Sequence, residues 1–332
     1  MTDLDTIGIL CAQGAKTPFL RALPRQLRAL PADEPLSVLV FSLSELHMEE
    51  RMIGGVLVTG EGVRAAWSPL PAVIFNAAVQ HRRSSIRTLR ALLELPDCRV
   101  LNPSNRFDQR QVREMLVGDP ALAQAVPPEA GDTPLESLPA FVRRPIFGSR
   151  VDRVVCGRVV CSSHAGKEWE LFNWGDAPVS RISVDALSSA ALSSANDKTD
   201  AAAPGSAEEE MTLRLPPPRA RAGRPFATRA LLQKAPRGEW EILRHGGLFP
   251  PGRSDCPVGS AGKKLLLAAA GRVGCFLPDM ALCTADLFWG EDGAPFLIGM
   301  GGWPGEAADV RAAIKTRRFG DLLGYARRIS HN

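Results

Sequence analysis

Residues 286–305 read DLFWGEDGAPFLIGMGGWPG and gather several residue types that could do chemistry. Asp286 is a carboxylate opening an apolar run. Gly299, Gly301, Gly302 and Gly305 give the backbone room that phosphate-cradling loops use. These glycines lack a Walker lysine and do not match GxGxxG opening a helix in a βαβ unit, so alone they do not mark a phosphate loop. Asp292-Gly293 between two apolar runs predicts a hairpin. Its second strand, 296–298, is expected to run into a glycine-rich loop closed by Pro304-Gly305.

Arg229 sits mid-strand in PFATRALLQK. An unpaired buried charge is costly, so this side chain should face a cleft or a carboxylate. Asp286 and Arg144 also have simpler readings, as a hairpin hydrogen bond and a structural ion pair. Ser163 and His164 are adjacent, and on a strand they point to opposite faces, which excludes a nucleophile–base couple. Asn76 and Asn102 end predicted strands, and local backbone hydrogen bonds explain them. Arg214, Arg219, Arg221 and Arg224 are broken up by prolines at 216–218 and lack aromatics for base stacking. They read as a solvated loop, and no nucleic-acid partner is expected. The seven cysteines are scattered without a CxxC, and the five histidines do not cluster with them. Buried reduced thiols are expected, and no zinc site.

The chain has 332 residues, a formal net charge of +4 and 45% apolar residues. That length predicts two or three subdomains, and the mild charge does not require an acidic partner. No apolar run approaches the roughly 20 residues that span a bilayer. The N-terminus starts acidic and lacks the basic region of a secretory signal. The reading is a cytoplasmic protein.

The elements that must position these residues begin with strands at 6–11, 37–42 and 72–76, a hairpin at 55–59 and 62–67, and a short strand at 100–102. Helical spacing covers 18–30, with a kink or restart at Pro24, and 83–95. This alternation predicts an open α/β domain up to about residue 105. Asp108 is a plausible N-cap for a helix to residue 117. Strands follow at 141–142, 153–160 and 169–174. Residues 184–195 are helix-prone, and 196–210 (NDKTDAAAPGSAEEE) read as a flexible insertion. Further strands are expected at 211–215, 227–233 and 240–243, a turn at 235–238, a helix at 262–270 and a basic amphipathic tail at 307–329.

Several landmarks fall in one order: VIFN at 73–76, Asn102-Pro103, Phe107-Asp108, Arg144-Pro145 with Gly148-Ser149, PFATRALLQK with Arg229 and Gln233, Gly238-Glu239-Trp240, Asp286, and 297–305. From about residue 70 onward this series resembles the endospore coat-associated YheC/YheD family of ATP-grasp proteins. Members carry motifs of the type YNR, NP with FDKW, KP-x-x-GS-x-G-x-G, FDIR-x-x-x-Q, GxW and LIEVN-x-x-PG. The resemblance implies ATP and magnesium as cofactors, and spore coat or cell-envelope components as partners in sporulation. It also implies phosphate or other anion contacts for Arg144, Ser149 and Arg229, and a magnesium contact for Asp286.

The departures from that pattern are concentrated. Gln109 and Arg144 stand where the family has lysines, Val151 and Arg153 replace glycines, and Ala227 replaces an aspartate. Residues 212–214 lack the YxxQ hinge pattern, and the terminal Glu and Asn become Gly299 and Gly301. Arginine keeps the lysine charge but has a larger, planar head. Magnesium needs near-octahedral oxygen ligation, so the loss of these side chains weakens its site.

The expected architecture is α/β: an N-terminal open domain (1–105), an ATP-grasp-like small lobe (106–195), the insertion (196–210) and a C-terminal lobe (211–332). The expected function is that of a pseudoenzyme, an ATP-grasp-like protein with weakened or lost Mg-ATP chemistry and a binding or structural role. Two alternatives stand beside it. One is an active carboxylate–amine ligase with a rearranged metal site. The other is an anion- or acidic-polymer-binding module.

Overall fold

The protein is seen in a computed structural model. It describes residues 5–30, 36–80, 82–147, 155–163, 166–173, 180–183, 210–221, 224–225, 227–247, 258–302 and 319–330. Ser149, His164, Val151, Arg153 and Pro304-Gly305 lie outside these residues. So do the predicted helix at 184–195 and all of the predicted insertion except Glu210.

The first sheet has seven strands: β1 (Asp5–Leu10), β2 (Leu36–Phe41), β3 (Leu46–His47), β4 (Met52–Val58), β5 (Val63–Pro69), β6 (Val73–Asn76) and β7 (Arg99–Leu101). β2, β1, β6 and β7 run parallel, and the β4–β5 hairpin extends the sheet antiparallel beyond β2. β2 and β6 are buried along their whole length. Their unbroken apolar runs are what a parallel sheet covered on both faces requires. Helix α1 (Thr17–Arg28) covers one face through Phe19, Leu23 and Leu27, and Pro24 lies inside it. Helix α2 (Arg83–Leu93) covers the other through Leu89 and Leu92.

Helix α3 (Gln109–Val117) starts where Asp108 accepts the amides of Arg110 and Gln111, as its N-cap position predicts. The short α4 (Pro120–Ala123) follows. Then comes β8 (Ala140–Pro145), which joins β9 (Val155–Ser163), β10 (Gly166–Asn173), β11 (Ser180–Ser183) and β12 (Glu210–Leu215) in an antiparallel sheet. Its order is β11-β10-β9-β8-β12, so the chain returns to the far edge of this sheet before it enters the next.

Two short strands, β13 (Ala220–Arg221) and β14 (Arg224–Pro225), pair within the stretch predicted as a solvated loop. The third sheet holds β15 (Ala227–Lys234), β16 (Trp240–Gly247), β17 (Leu282–Trp289) and β18 (Pro295–Gly301), in the order β16-β15-β17-β18. Helix α5 (Gly259–Phe276) packs on one face through Leu265, Leu266, Ala269, Ala270 and Val273. The opposite face meets both other sheets. Ala227, Phe288 and Ile298 pack with β8 and β12, and Leu231 and Leu282 pack with the first sheet. The last helix, α6 (Phe319–Ser330), lies on the first sheet through Leu322, Leu323, Tyr325 and Ala326. This last helix therefore closes the N-terminal core, while residues 307–318 of the predicted basic tail lie outside the described residues. No helix among the described residues is long and apolar enough to cross a membrane.

The glycine-rich loop expected after residue 298 is not a loop up to residue 301. Gly299 to Gly301 continue β18 and pair with Thr284, Ala285 and Asp286. Strand pairing against a fully buried neighbour overrides the low strand propensity of glycine.

Candidate functional site

Arg144, Arg229 and Asp286 come together on the face where the second and third sheets meet. β15 and β17 pair antiparallel with Arg229 opposite Asp286. The Arg229 Nε donates to Asp286 Oδ1 at 2.7 Å and its Nη2 donates to Oδ2 at 2.9 Å. This is a two-pronged guanidinium–carboxylate pair, with both carboxylate oxygens engaged. Asp286 is 3% exposed. The carboxylate that Arg229 was expected to face is thus Asp286, and in place of the hairpin hydrogen bond expected of it Asp286 makes this ion pair to β15, outside the hairpin.

Arg144 enters from β8. Its side chain is 2% exposed, and its Nη1 lies 3.9 Å from Asp286 Oδ2 and donates to the Ile298 carbonyl at 2.6 Å. That carbonyl is available because the β17–β18 register slips by one residue. Asp286 pairs with Gly299 but Leu287 pairs with Leu297, leaving Ile298 as a bulge. Burial lowers the Arg144 pKa to about 10, opposed by the nearby Asp286 and reinforced by Arg229. The group is still a cation at neutral pH. Two guanidinium groups therefore approach one carboxylate in a buried place. Among the described residues the Arg144 Nε has no hydrogen-bond partner.

Gly299 completes the arrangement. A β-carbon built on it would fall onto the Arg144 guanidinium, overlapping Nη1 and Cζ. The side chain of Arg144 therefore occupies the volume that any side chain at 299 would need. A large cation at 144 and a glycine at 299 were the signal in the sequence, and the expectation took the two positions separately.

Gln109, the other expected lysine position, is also structural. It is 3% exposed, its Nε2 donates to the Met300 carbonyl at 2.6 Å and its Oε1 accepts the Met300 amide at 3.2 Å. It thereby ties α3 to β18 beside Gly299. Next to it a cavity of about 20 Å³ is lined by Val112, Leu116, Met211, Leu213 and Ile298 among others. That volume holds about one water molecule.

Asn76 and Asn102 do more than cap their own strands. Asn102 Oδ1 accepts the amides of Ala281 and Leu282, and its Nδ2 donates to the Leu282 carbonyl. Asn76 donates to the Asn102 carbonyl, and Asn105 donates to the carbonyls of Asn76 and Ala78. This network joins the ends of β6 and β7 to the start of β17. It holds the first sheet against the third. Asn102 adopts φ 55°, a left-handed conformation that asparagine tolerates better than most residues. The spacing of Asn102 and Asn105 was a signal the sequence reading did not use.

Cys11, Cys98 and Cys283 are buried thiols, as expected, but Cys275 on α5 is exposed. The Cys275 position falls on the outer side of a helix whose apolar residues are not confined to one stripe, so composition alone misplaced it.

The magnesium implied by the family resemblance does not fit these residues. Asp286 has both oxygens committed to Arg229, a second guanidinium stands 3.9 Å away, and position 299 offers no ligand. Among the described residues no group of three acidic, histidine or cysteine side chains converges on one point. A dication here would meet two guanidinium groups and, among the described residues, too few oxygen ligands.

No family model matches the chain, and no curated protein matches it by sequence. Solved structures do match. D-alanyl-alanine synthetase A from Vibrio cholerae O1 biovar eltor str. N16961 is 13% identical, over 99% of this chain and 99% of that chain, with a TM-score of 0.53. The D-cycloserine synthetase DcsG is 12% identical over 98% and 99%, with a TM-score of 0.52. The VanG D-Ala:D-Ser ligase from Enterococcus faecalis is 10% identical over 98% and 100%, with a TM-score of 0.51. At such identities the likeness is one of fold, and along nearly its whole length this chain is built on the ATP-grasp architecture of these ligases.

Proposed function

We propose that this chain is an ATP-grasp-fold protein in which Mg-ATP chemistry has given way to a binding or structural role. One observation carries the reading. The Arg144 guanidinium fills the place of a side chain at 299 while Arg229 holds both oxygens of Asp286. Phosphoryl transfer depends on positioned charges, and its usual metal clamp has no foothold in such a cluster. The motif order shared with the YheC/YheD proteins makes spore coat or cell-envelope components the class of partner to seek first.

A second reading is favoured by the buried Arg144 Nε, which has no hydrogen-bond partner among the described residues. It is an anion-binding module that takes phosphate or an acidic polymer without a divalent ion.

Thermal denaturation with and without a chelator separates these readings, because a ligand bound by the native state alone raises its melting temperature. The binding or structural reading expects no shift with millimolar Mg-ATP. A shift with inorganic phosphate that survives chelation selects the anion-binding module. A magnesium-dependent shift with ATP, lost in Asp286→Ala, overturns both in favour of an active ligase.

A further inference from the structure

We propose that strand β5 is a self-complementary edge through which two copies of this chain join their first sheets into one continuous sheet. The inference is independent of the cleft and of its chemistry.

β5 pairs with β4 and, among the described residues, with nothing else. Its register against β4 is unbroken from Met52↔Pro69 to Val58↔Val63. Hydrogen bonds at the two ends show which residues turn their backbone inward. Thr59 donates to the Gly62 carbonyl, and the Leu70 amide donates to the Arg51 carbonyl. In an antiparallel strand this inward orientation recurs at every second residue. Even-numbered residues from 62 to 70 therefore face β4. Val63, Ala65 and Trp67 direct their N–H and C=O groups away from the sheet.

The same three residues share one side-chain face. All three are exposed, Val63 at 46% and Trp67 at 56%. The Trp67 indole is not loose. It lies over Gly54, where a β-carbon would meet it at 3.0 Å, and against the His47 ring at a centroid distance of 4.6 Å. Natural edges are commonly protected by charges, bulges or proline. Here the one charge, Arg64, points to the other face, no bulge interrupts the strand, and Pro69 stands at its end.

A two-fold axis through Ala65 matches this edge to itself. Ala65 meets Ala65 of the second copy, and Val63 meets Trp67 of the second copy in both directions. Every outward N–H then finds an outward carbonyl. Val63 and Trp67 then stand directly opposite one another, a β-branched–aromatic cross-strand combination that is favoured. Moving the axis to Ala66 would set Val63 against Pro69, which has no N–H to donate, so the Ala65 register is selected. A single strand pair is small for a protein interface, so the dimer is weak and depends on concentration.

Sedimentation or light scattering across a wide concentration range tests this. The expected mass rises from 35.7 kDa towards twice that value. Ala65→Lys and Ala65→Glu each place like charges opposite one another only in the dimer, so each variant should remain at 35.7 kDa with an unchanged melting temperature. Mixing the two variants at low salt should restore the larger species. Ala65→Pro gives a second check, because it removes the central outward N–H without touching the ladder to β4. A wild-type chain that stays monomeric at millimolar concentration overturns the proposal. So does a dimer that persists in both charge variants.

Discussion

The Arg144 guanidinium lies where the β-carbon of a residue at 299 would stand, so the identities of positions 144 and 299 are tied to each other. Gly299→Ala should destabilise the protein by about 2–3 kcal/mol, the scale of an overpacked core. The arginine head would have to leave the Ile298 carbonyl to make room. Arg144→Met alone should also destabilise, because it leaves that carbonyl without its donor. The double variant should be more stable than the sum of the two single losses predicts, since the methionine no longer needs the space. A urea-denaturation cycle measures the coupling, and strict additivity would show that the two positions are unrelated.

Asp286→Asn should cost about 3–5 kcal/mol, because it removes the charge that the buried Arg229 and Arg144 guanidinium groups both approach. Arg144→Met in that background should recover part of the loss by removing one of the two cations. If Asp286→Asn instead leaves the urea midpoint unchanged, the carboxylate is not the counter-charge that holds β15, β17 and β8 together.

Stability should fall as pH rises from about 9 towards 12 because of the buried thiols Cys11, Cys98 and Cys283, whose pKa values burial raises. Burial raises the Cys11 pKa to about 12, and burial together with the neighbouring Asp97 raises that of Cys98 to about 11, from an ordinary value of 9.0. In this window the unfolded chain has released these protons while the folded chain keeps them, so the folded state binds more protons and loses stability with pH. The contribution is fully present below pH 9. The double variant Cys11→Ala/Cys98→Ala should show a shallower decline than the wild type in thermal melts between pH 8.5 and about 11. Parallel slopes would exclude the two thiols as the cause.

The order of strands and helices was legible because it rests on local pattern. The apolar runs at β1, β2 and β6, the Asp108 cap and the Asp292-Gly293 turn each declare themselves within a few residues. The motif series also announced the ATP-grasp architecture. The pairing of Arg229 with Asp286 and the asparagine network from Asn76 to Leu282 join residues between 26 and 180 positions apart and leave no periodic trace, nor does the bulge at Ile298.

The sequence by itself determined most of the strands and helices, the buried strands and the absence of any ligating side chain at Gly299 and Gly301. Those follow from side-chain type and spacing, which are properties of short segments. Only the tertiary structure decided that Arg144 takes the volume Gly299 vacates, that Asp286 is held by Arg229, and that α6 seals the first sheet. Each of these needs strands from separate parts of the chain to be brought within contact distance, and side-chain size and charge then compensate across the gap.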